Sequence, residues 1–182
     1  MWESGSWYYL TGGRMTEGWL LDRGTWYYMD SRTGAMCTGW VQVDDRWYYF
    51  EPSGAMATGW LRSDGAWYYL SGSGAMVAGW LLDHGTWYHM DSRTGAMRTG
   101  WVQVDDRWYY FEPSGAMATG WLNSGGSWYY MSGNGAMSTG WVDDRGAWYY
   151  MDSTGVMVTG TVSIDGRSSL FSSSGRWVGY AS

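Results

Sequence analysis

Tryptophan pairs at a fixed spacing are the residues of this sequence best suited to hold a ligand. A Gly-Trp dipeptide recurs along the chain, and a second tryptophan follows seven positions later, as in Trp40 and Trp47. The second tryptophan opens an aromatic triplet, here Trp47-Tyr48-Tyr49. The faces of such rings attract cations, and their flat apolar surfaces also stack on sugars. The pattern therefore predicts that the chain binds a cation or a sugar.

Other groups that could do chemistry are few. The paired carboxylates Asp44-Asp45, Asp105-Asp106 and Asp143-Asp144 fall where hairpin turns are expected, and aspartates in turns commonly bond their own backbone. A calcium loop needs more oxygen ligands, at wider spacing, than these turns supply. His84 and His89 lack a repeated serine or cysteine that could act as a nucleophile. We predict no enzyme, no catalytic residue, no metal site and no cofactor.

Composition excludes several function classes. The chain has 182 residues, a formal net charge of -6 and no lysine, so it lacks the basic patch that nucleic-acid binding requires. Aromatic residues make up 20% of it, which argues against disorder. No run approaches the roughly 20 apolar residues of a membrane helix, so we expect no membrane insertion. Cys37 is the single cysteine, which excludes an intrachain disulfide. Because its counterpart in a duplicated unit is Arg98, we expect Cys37 to face solvent.

The tryptophans define a repeat of 20 to 21 residues. Aromatic-rich stretches broken by Gly, Asp, Ser and Asn predict β-hairpins, and no apolar helical period competes with them. Side chains alternate between the faces of a strand, so Trp47 and Tyr49 share one face while Tyr48 and Phe50 take the other. A lone hairpin is marginal in water, and the units must stack. The fold class predicted is an all-β solenoid of stacked hairpins.

A longer duplication and two unusual ends complete the predicted organisation. Residues 39–61 and 100–122 are identical, so three hairpins duplicated together, and we expect about three hairpins per superhelical turn. We predict a single repeat domain over 1–182. It comprises a short hairpin in 1–18, seven repeats in 19–159 and a divergent capping hairpin in 160–182. The last unit has lost its rings and is interpreted as a lid.

These motifs resemble the choline-binding, or cell-wall-binding, repeat family. The resemblance rests on Gly-Trp, the Trp-Tyr-Tyr triplet seven positions later, Gly-Ala-Met and Thr-Gly-Trp, which recur in register from Trp19 to Met157. It implies a left-handed β-solenoid with three hairpins per turn. It also implies an extracellular, cell-wall-associated module that tethers surface proteins and wall-degrading enzymes to choline-bearing teichoic acids of Gram-positive bacteria.

The same resemblance implies pockets built from both tryptophans of one hairpin and the third aromatic residue of the next. The seven predicted groups are Trp19, Trp26 and Tyr49; Trp40, Trp47 and Tyr69; Trp60, Trp67 and His89; Trp80, Trp87 and Tyr110; Trp101, Trp108 and Tyr130; Trp121, Trp128 and Tyr150; and Trp2, Trp7 and Tyr28. His89 replaces a tyrosine, so weaker cation binding is expected in its pocket, especially below about pH 6, where imidazole gains charge. The methionines Met36, Met56 and Met117 either line pockets or fill gaps between hairpins.

Three functions stay open at this point. Choline or phosphocholine groups of cell-wall polymers are the predicted partners, because a quaternary ammonium cannot donate ordinary hydrogen bonds and is best held by aromatic faces. The alternative ligand is a glucan or cell-surface glycan, since the segment Ile164-Asp165-Gly166 resembles carbohydrate-binding relatives. A structural spacer, or a module that forms a homodimer, is the third reading.

Overall fold

The protein is built from β-hairpins. The computed structural model describes residues 1–3 and 5–181, and all regular structure in that part of the chain is β-strand. The strands are β1 (Trp2–Glu3), β2 (Ser6–Trp7), β3 (Leu10–Thr11), β4 (Arg14–Met15), β5 (Gly18–Asp22), β6 (Thr25–Met29), β7 (Gly39–Val43), β8 (Arg46–Phe50), β9 (Gly59–Ser63), β10 (Ala66–Leu70), β11 (Gly79–Asp83), β12 (Thr86–Met90), β13 (Gly100–Val104), β14 (Arg107–Phe111), β15 (Gly120–Ser124), β16 (Ser127–Met131), β17 (Gly140–Asp144), β18 (Ala147–Met151), β19 (Gly160–Ile164), β20 (Arg167–Phe171) and β21 (Trp177–Tyr180).

Chain contacts divide the hairpins into two compact units. The first comprises Met1–Leu81 and His89–Met97, and the second comprises Leu82–Tyr88 and Arg98–Ser182. In both units consecutive strands pair as antiparallel hairpins. The predicted all-β fold of repeated hairpins is confirmed, while the left hand and the three hairpins per turn stay predictions. Within residues 1–3 and 5–181, no helix has the length and apolarity needed to cross a membrane.

The two ends of the chain differ from the repeats between them. Residues 1–18 contain two short hairpins, β1–β2 and β3–β4, where the sequence suggested one. In the last unit β20 pairs with β19 on one side and with β21 on the other, which makes a three-stranded sheet. The predicted capping hairpin therefore carries an additional strand.

Each long hairpin closes with a two-residue turn in which both residues have positive φ. Asp44 and Asp45 have φ of 47° and 61°, and Val43 pairs directly with Arg46. This is the backbone of the type I′ turn, whose twist matches that of the flanking strands. The turn predicted at Asp143-Asp144 is wrong: both residues end strand β17, and the turn residues are Arg145 and Gly146.

One face of each long hairpin forms the core. The final residue of each five-residue return strand is at most 2% exposed; these residues are Met29, Phe50, Leu70, Met90, Phe111, Met131, Met151 and Phe171. Phe50 pairs across the hairpin with Gly39, the glycine of a Gly-Trp dipeptide. Tyr48 lies on the same face and is buried, whereas Trp47 points the other way and is 41% exposed. The alternation predicted from the sequence is confirmed.

The connectors between hairpins tie each hairpin to the one before it. The Met56 N–H donates to the Trp26 carbonyl of the preceding hairpin at 2.8 Å, and the Ala57 N–H donates to the Tyr49 carbonyl of its own hairpin at 2.8 Å. The same pair of bonds recurs in a later connector, where the Met137 N–H donates to the Trp108 carbonyl of the preceding hairpin and the Ser138 N–H donates within its own hairpin. Backbone groups that a lone hairpin would leave unpaired are thereby satisfied.

Carboxylates hold some of the connector turns. Asp152 accepts hydrogen bonds from the Thr154 hydroxyl at 2.6 Å, the Thr154 N–H at 2.7 Å and the Val156 N–H at 3.1 Å. Burial raises the pKa of the Asp152 carboxyl, but these hydrogen bonds outweigh it and leave the pKa below its ordinary value. Because the folded-state pKa is lowered, the stabilisation is present above the ordinary carboxyl pKa and disappears as the pH falls through the lowered one.

Methionine thioethers stack against connector glycines in a repeating contact. A Cβ atom built on Gly135 would overlap the Sδ atom of Met117, and the same holds for Gly54 with Met36 and for Gly155 with Met137. Gly135 also has φ of +82°, a conformation that other residues adopt only with strain. The glycine therefore serves both the turn and the close approach of the methionine.

Cys37 departs from the expectation of a solvent-facing thiol. It packs against the buried cluster of Val43, Tyr48 and Phe50 and is only half-exposed. Burial is the main cause of the raised pKa of the Cys37 thiol. The counterpart Arg98 misled the prediction, because a long side chain can leave a half-buried site with its charged end in water.

Gly135→Ala is expected to lower the stability of the protein more than Gly126→Ala. Both glycines have nearly the same positive φ, +82° and +83°, but a Cβ at Gly126 meets nothing within 4 Å. The two variants therefore share the backbone strain, and the difference between them reports the overlap with Met117, about 1–2 kcal/mol. Chemical denaturation measures both. Equal losses would show that the Met117 thioether moves aside without cost.

Candidate ligand-binding pockets

The two tryptophans of a hairpin form a right-angled corner on its exposed face. The ring centroids of Trp19 and Trp26 are 6.1 Å apart at an interplanar angle of 89°. Nearly the same geometry recurs at Trp60 and Trp67 (6.4 Å, 85°), Trp101 and Trp108 (6.5 Å, 81°), Trp121 and Trp128 (6.3 Å, 81°) and Trp141 and Trp148 (6.3 Å, 81°). The corner is a fixed feature of the repeat.

A tyrosine from the following hairpin adds a third ring to this corner. The ring centroid of Tyr149 lies 4.6 Å from that of Trp121, and the ring centroid of Tyr129 lies 4.8 Å from that of Trp101. The same contact joins Trp19 to Tyr48 at 4.8 Å and Trp40 to Tyr68 at 4.9 Å. In every case the tyrosine is the second member of its aromatic triplet, the one that faces the core of its own hairpin.

The sequence prediction chose a different third ring, and the structure groups those rings otherwise. Each predicted residue lies against the first tryptophan of its own hairpin, at 5.2–5.3 Å: Tyr28 on Trp19, Tyr49 on Trp40, Tyr69 on Trp60, His89 on Trp80, Tyr110 on Trp101, Tyr130 on Trp121 and Tyr150 on Trp141. The expectation of weak binding between Trp60 and Trp67 depends on His89, which lies against Trp80 in the structure, and it stays a prediction.

The antiparallel register explains the difference. A two-residue turn sets Trp40 directly opposite Tyr49, so these neighbours pack across the hairpin. Tyr48 is displaced by one residue and leaves on the opposite face, toward the tryptophan of the preceding hairpin. The third residue of each aromatic triplet therefore packs on the first tryptophan of its own hairpin, and the second residue of the triplet closes the corner of the preceding hairpin.

Hydrogen bonds orient several of the first tryptophans. The Trp121 indole N–H donates to Asp144 Oδ2 at 2.9 Å, Trp101 donates to Ser124 Oγ at 3.1 Å, and Trp40 donates to Ser63 Oγ at 3.2 Å. Each acceptor is the last residue of the first strand in the following hairpin. The bond holds the plane of the indole and turns its polar edge away from the exposed corner.

The three rings border open clefts of a size suited to a small ligand. One cleft of about 370 Å³ is lined by Trp101, Trp108, Tyr129, Met137, Ser153 and Thr154. Another of about 400 Å³ is lined by Trp121, Trp128, Tyr149, Met157, Ser173 and Ser174. Ligand pockets commonly start at about 300 Å³ and have mostly apolar walls with a few polar groups. These clefts have no charged side chain among their lining residues.

The cleft linings include residues that the sequence prediction missed. Hydroxyl groups of Ser153, Thr154, Ser173 and Ser174 come from the connector of the second hairpin along. A signal existed, because a serine or threonine directly precedes the glycine of Gly-x-Met in most repeats. Of the methionines named in the prediction, Met36 lines the amino-terminal cavity and also stacks on Gly54; Met137 likewise lines a cleft and stacks on Gly155.

The amino-terminal cavity follows the pattern only in part. Trp2 and Trp7 pair directly across β1 and β2, 5.5 Å apart at 58°, so they do not form the right-angled corner. A cavity of about 330 Å³ nearby is lined by Met1, Trp7, Tyr8, Tyr9, Leu20, Asp22, Tyr27, Met29, Met36 and Ser53. Tyr27, and not the predicted Tyr28, lines it, in agreement with the other sites.

The described part of the chain brings together no group of three or more His, Cys, Asp or Glu side chains that could hold a metal ion. The carboxylates Asp44, Asp45, Asp105 and Asp106 occupy hairpin turns, as expected from the sequence. The aromatic corners remain the arrangement with the clearest capacity to bind.

Asp144→Ala is expected to release the Trp121 indole and to cost about 1 kcal/mol of stability, because the hydrogen bond to the carboxylate is lost. Asp144→Ser is the matched control, since Ser63 and Ser124 accept the same bond in other repeats. Exchange of the Trp121 indole N–H, followed by NMR, should accelerate in the alanine variant only. Unchanged exchange in Asp144→Ala would show that the bond does not form in solution.

Comparison with known proteins places these repeats in context. A family model described as choline-binding repeat matches residues 37–78, 58–99 and 98–139. A second model, a cell wall binding repeat, matches residues 17–36 and 139–157. Among curated protein sequences none matches the chain.

Solved structures agree with the family models. CbpJ from Streptococcus pneumoniae is 42% identical with a TM-score of 0.87, over 94% of this chain and 61% of that one. Choline binding protein F from the same organism is 39% identical with a TM-score of 0.84, over 94% and 60%. The modular autolysin LytC, also from S. pneumoniae, is 33% identical with a TM-score of 0.68, over 94% and 42%. The chain thus spans about 60% or less of these relatives. With repeat models covering most of its length, the chain belongs to the choline-binding repeat family.

Proposed function

We propose that this chain is a non-catalytic module that binds choline groups of cell-wall polymers through the pockets formed by two tryptophans and a tyrosine. The observation that carries the proposal is the right-angled tryptophan corner closed by a tyrosine of the next hairpin, as at Trp121, Trp128 and Tyr149. Two perpendicular faces and a third wall surround a compact cation from several sides. Each ring contributes its negative face.

Energetics favour a polymeric partner over free choline. A cation over an aromatic face gains roughly 0.5–2 kcal/mol, so three rings give a few kcal/mol before the cost of association. A single pocket should therefore bind near the millimolar range, about 4 kcal/mol. A polymer with many choline groups can occupy several pockets at once, and linked sites raise avidity by about 10² to 10⁴. Repetition of a weak pocket suits attachment to such a polymer.

Choline-bearing teichoic acids are the polymers we propose, at the surface of a Gram-positive cell. Crystal structures of choline binding protein F include a complex with ipratropium obtained by soaking and one in the presence of a peptidoglycan analogue. Ipratropium carries a quaternary ammonium, the group that we propose the pockets of this chain hold. The absence of lysine and the net charge of -6 also favour a cationic ligand over an anionic one.

The match to LytC concerns its repeats, and the proposed role of this chain is attachment, without chemistry of its own. A homodimer stays a prediction from the sequence.

A glycan is the second candidate, because hydroxyl groups line the clefts beside the rings. Ser153 and Thr154 could hydrogen-bond sugar hydroxyls while Trp108 stacks on the sugar ring. Choline is favoured, since perpendicular indoles surround a compact cation from two sides, whereas a flat sugar ring can stack on only one of them.

Choline is expected to raise the thermal unfolding midpoint of the protein. A ligand at about 100 times its dissociation constant adds about 2.7 kcal/mol per site, since it binds only the folded state. The measurement is a thermal melt with choline chloride at increasing concentration. Ethanolamine, which lacks the methyl groups, and sodium chloride are the controls. A rise with glucan oligosaccharides and none with choline would overturn the proposal in favour of the glycan.

Tyr129→Ala is expected to weaken choline binding at the corner of Trp101 and Trp108 by about tenfold, equivalent to 1.4 kcal/mol, because one of three rings is lost. Tyr129→Phe keeps the ring and should bind as the unaltered protein does. Choline titration followed by the indole NMR signals of Trp101 and Trp108 reads out this pocket alone. Loss of the site in Tyr130→Ala but not in Tyr129→Ala would restore the grouping predicted from the sequence.

A further inference from the structure

The final tryptophan corner lies where the repeat pattern ends. Trp141 and Trp148 keep the standard geometry, with centroids 6.3 Å apart at 81°, the same values as for Trp121 and Trp128. Their side chains are 39% and 44% exposed. Two walls of a pocket are thus present on the last ring-bearing hairpin, although the sequence suggested that the array ends in a lid.

The residue that should close this corner is missing. The position equivalent to Tyr149 is Ser169, which is fully buried and cannot present a ring. Thr161 and Ser168 likewise replace the two tryptophans of a further corner. By the rule that holds at Trp101 and Trp121, the corner at Trp141 would stay open on one side.

A different ring takes that place. Trp177 lies 5.8 Å from Trp141 at an angle of 85°. It occupies the sequence position of Met157, the methionine that lines the preceding cleft, and strand β21 holds it opposite Phe171. The third strand of the last sheet therefore supplies an indole to the corner that the serine leaves open.

Neighbouring groups fix this third indole. Tyr180, on the same strand, lies 5.4 Å from Trp177 at 76°, and the guanidinium of Arg167 lies 5.6 Å from the centre of the Tyr180 ring. Arg167 already occupies the face of Tyr180, so Tyr180 acts as a support. The Trp177 indole nitrogen is buried while the residue is half-exposed, so the accessible part of its side chain is apolar ring surface.

We propose that Trp141, Trp148 and Trp177 form an additional pocket, made of three indoles, for a methylated ammonium ion such as choline. The inference rests on the proposed function for the chemistry of the ligand, and on the ring geometry for the site itself. Indole is the aromatic side chain with the strongest attraction for cations. The terminal pocket therefore binds choline at least as well as the pockets that end in tyrosine, and the array gains a site where the repeat consensus predicts none.

Crystals soaked in choline chloride test the proposal directly. We expect density for a trimethylammonium group among Trp141, Trp148 and Trp177, together with density at Trp121, Trp128 and Tyr149. Density at Trp121, Trp128 and Tyr149 but not among Trp141, Trp148 and Trp177 would overturn the inference and leave the proposed function intact. Density in neither place would count against the proposed function as well, so the two failures are distinguishable.

Variants in solution provide the second test. Trp148→Ala removes the wall on strand β18 and should weaken choline binding at the terminal pocket by about tenfold, or 1.4 kcal/mol. Trp177→Leu removes the third wall, and Trp177→Phe, which keeps a ring, should retain most of the affinity. The readout is the choline titration of the Trp141 indole NMR signal, with Trp128→Ala as the matched control that affects the preceding pocket only. An unchanged Trp141 titration in both Trp148→Ala and Trp177→Leu would contradict the proposal.

Discussion

The contact between the first tryptophan of one hairpin and the inner ring of the next is the interaction on which the rest of the structure depends. Trp19 belongs to the exposed face of its own hairpin, yet it lies 4.8 Å from Tyr48 and 5.9 Å from Phe50 of the following one. It covers the core of its neighbour and is at the same time a wall of a pocket. Neither role can be altered without the other.

This shared use of one ring couples assembly to binding. A pocket exists only where two consecutive hairpins are packed, because the tryptophan corner comes from one and the closing tyrosine from the other. A ligand bound there adds contacts across the junction and stabilises it, in the manner of any ligand that binds only the folded state. The hydrogen bond from Trp121 to Asp144 crosses the same junction, so the acceptor positions the ring and joins the hairpins together.

Much of this arrangement could be predicted from the sequence, because it follows from local rules. The period of 20 to 21 residues, the alternation of faces and the pairing of tryptophans seven positions apart all depend on strand geometry and turn length. The third ring could not be predicted in that way. Tyr48 and Tyr49 differ by one position, and the choice between them depends on how two hairpins pack, which no periodicity records.

A misplaced turn and an unassigned ring have similar causes. The sequence predicts the turn at Asp143-Asp144 and the structure has it at Arg145 and Gly146, because paired acids are common in turns but a glycine at the second position is the stronger turn signal. Trp177 lies outside the aromatic positions of the repeat, because it replaces a methionine and not one of the recurring rings. A substitution that moves a ring to another strand cannot be recognised by alignment of the repeats alone.

The stacking of methionine on glycine makes the array sensitive to oxidants. The thioethers of Met117 and Met137 each pack against the backbone of a glycine, and Met137 also borders a cleft. Conversion to the sulfoxide would add a polar oxygen where the neighbouring connector leaves no room. Oxidation by peroxide would thus weaken the packing between hairpins and make the pocket walls more polar. A methionine sulfoxide reductase would reverse both effects.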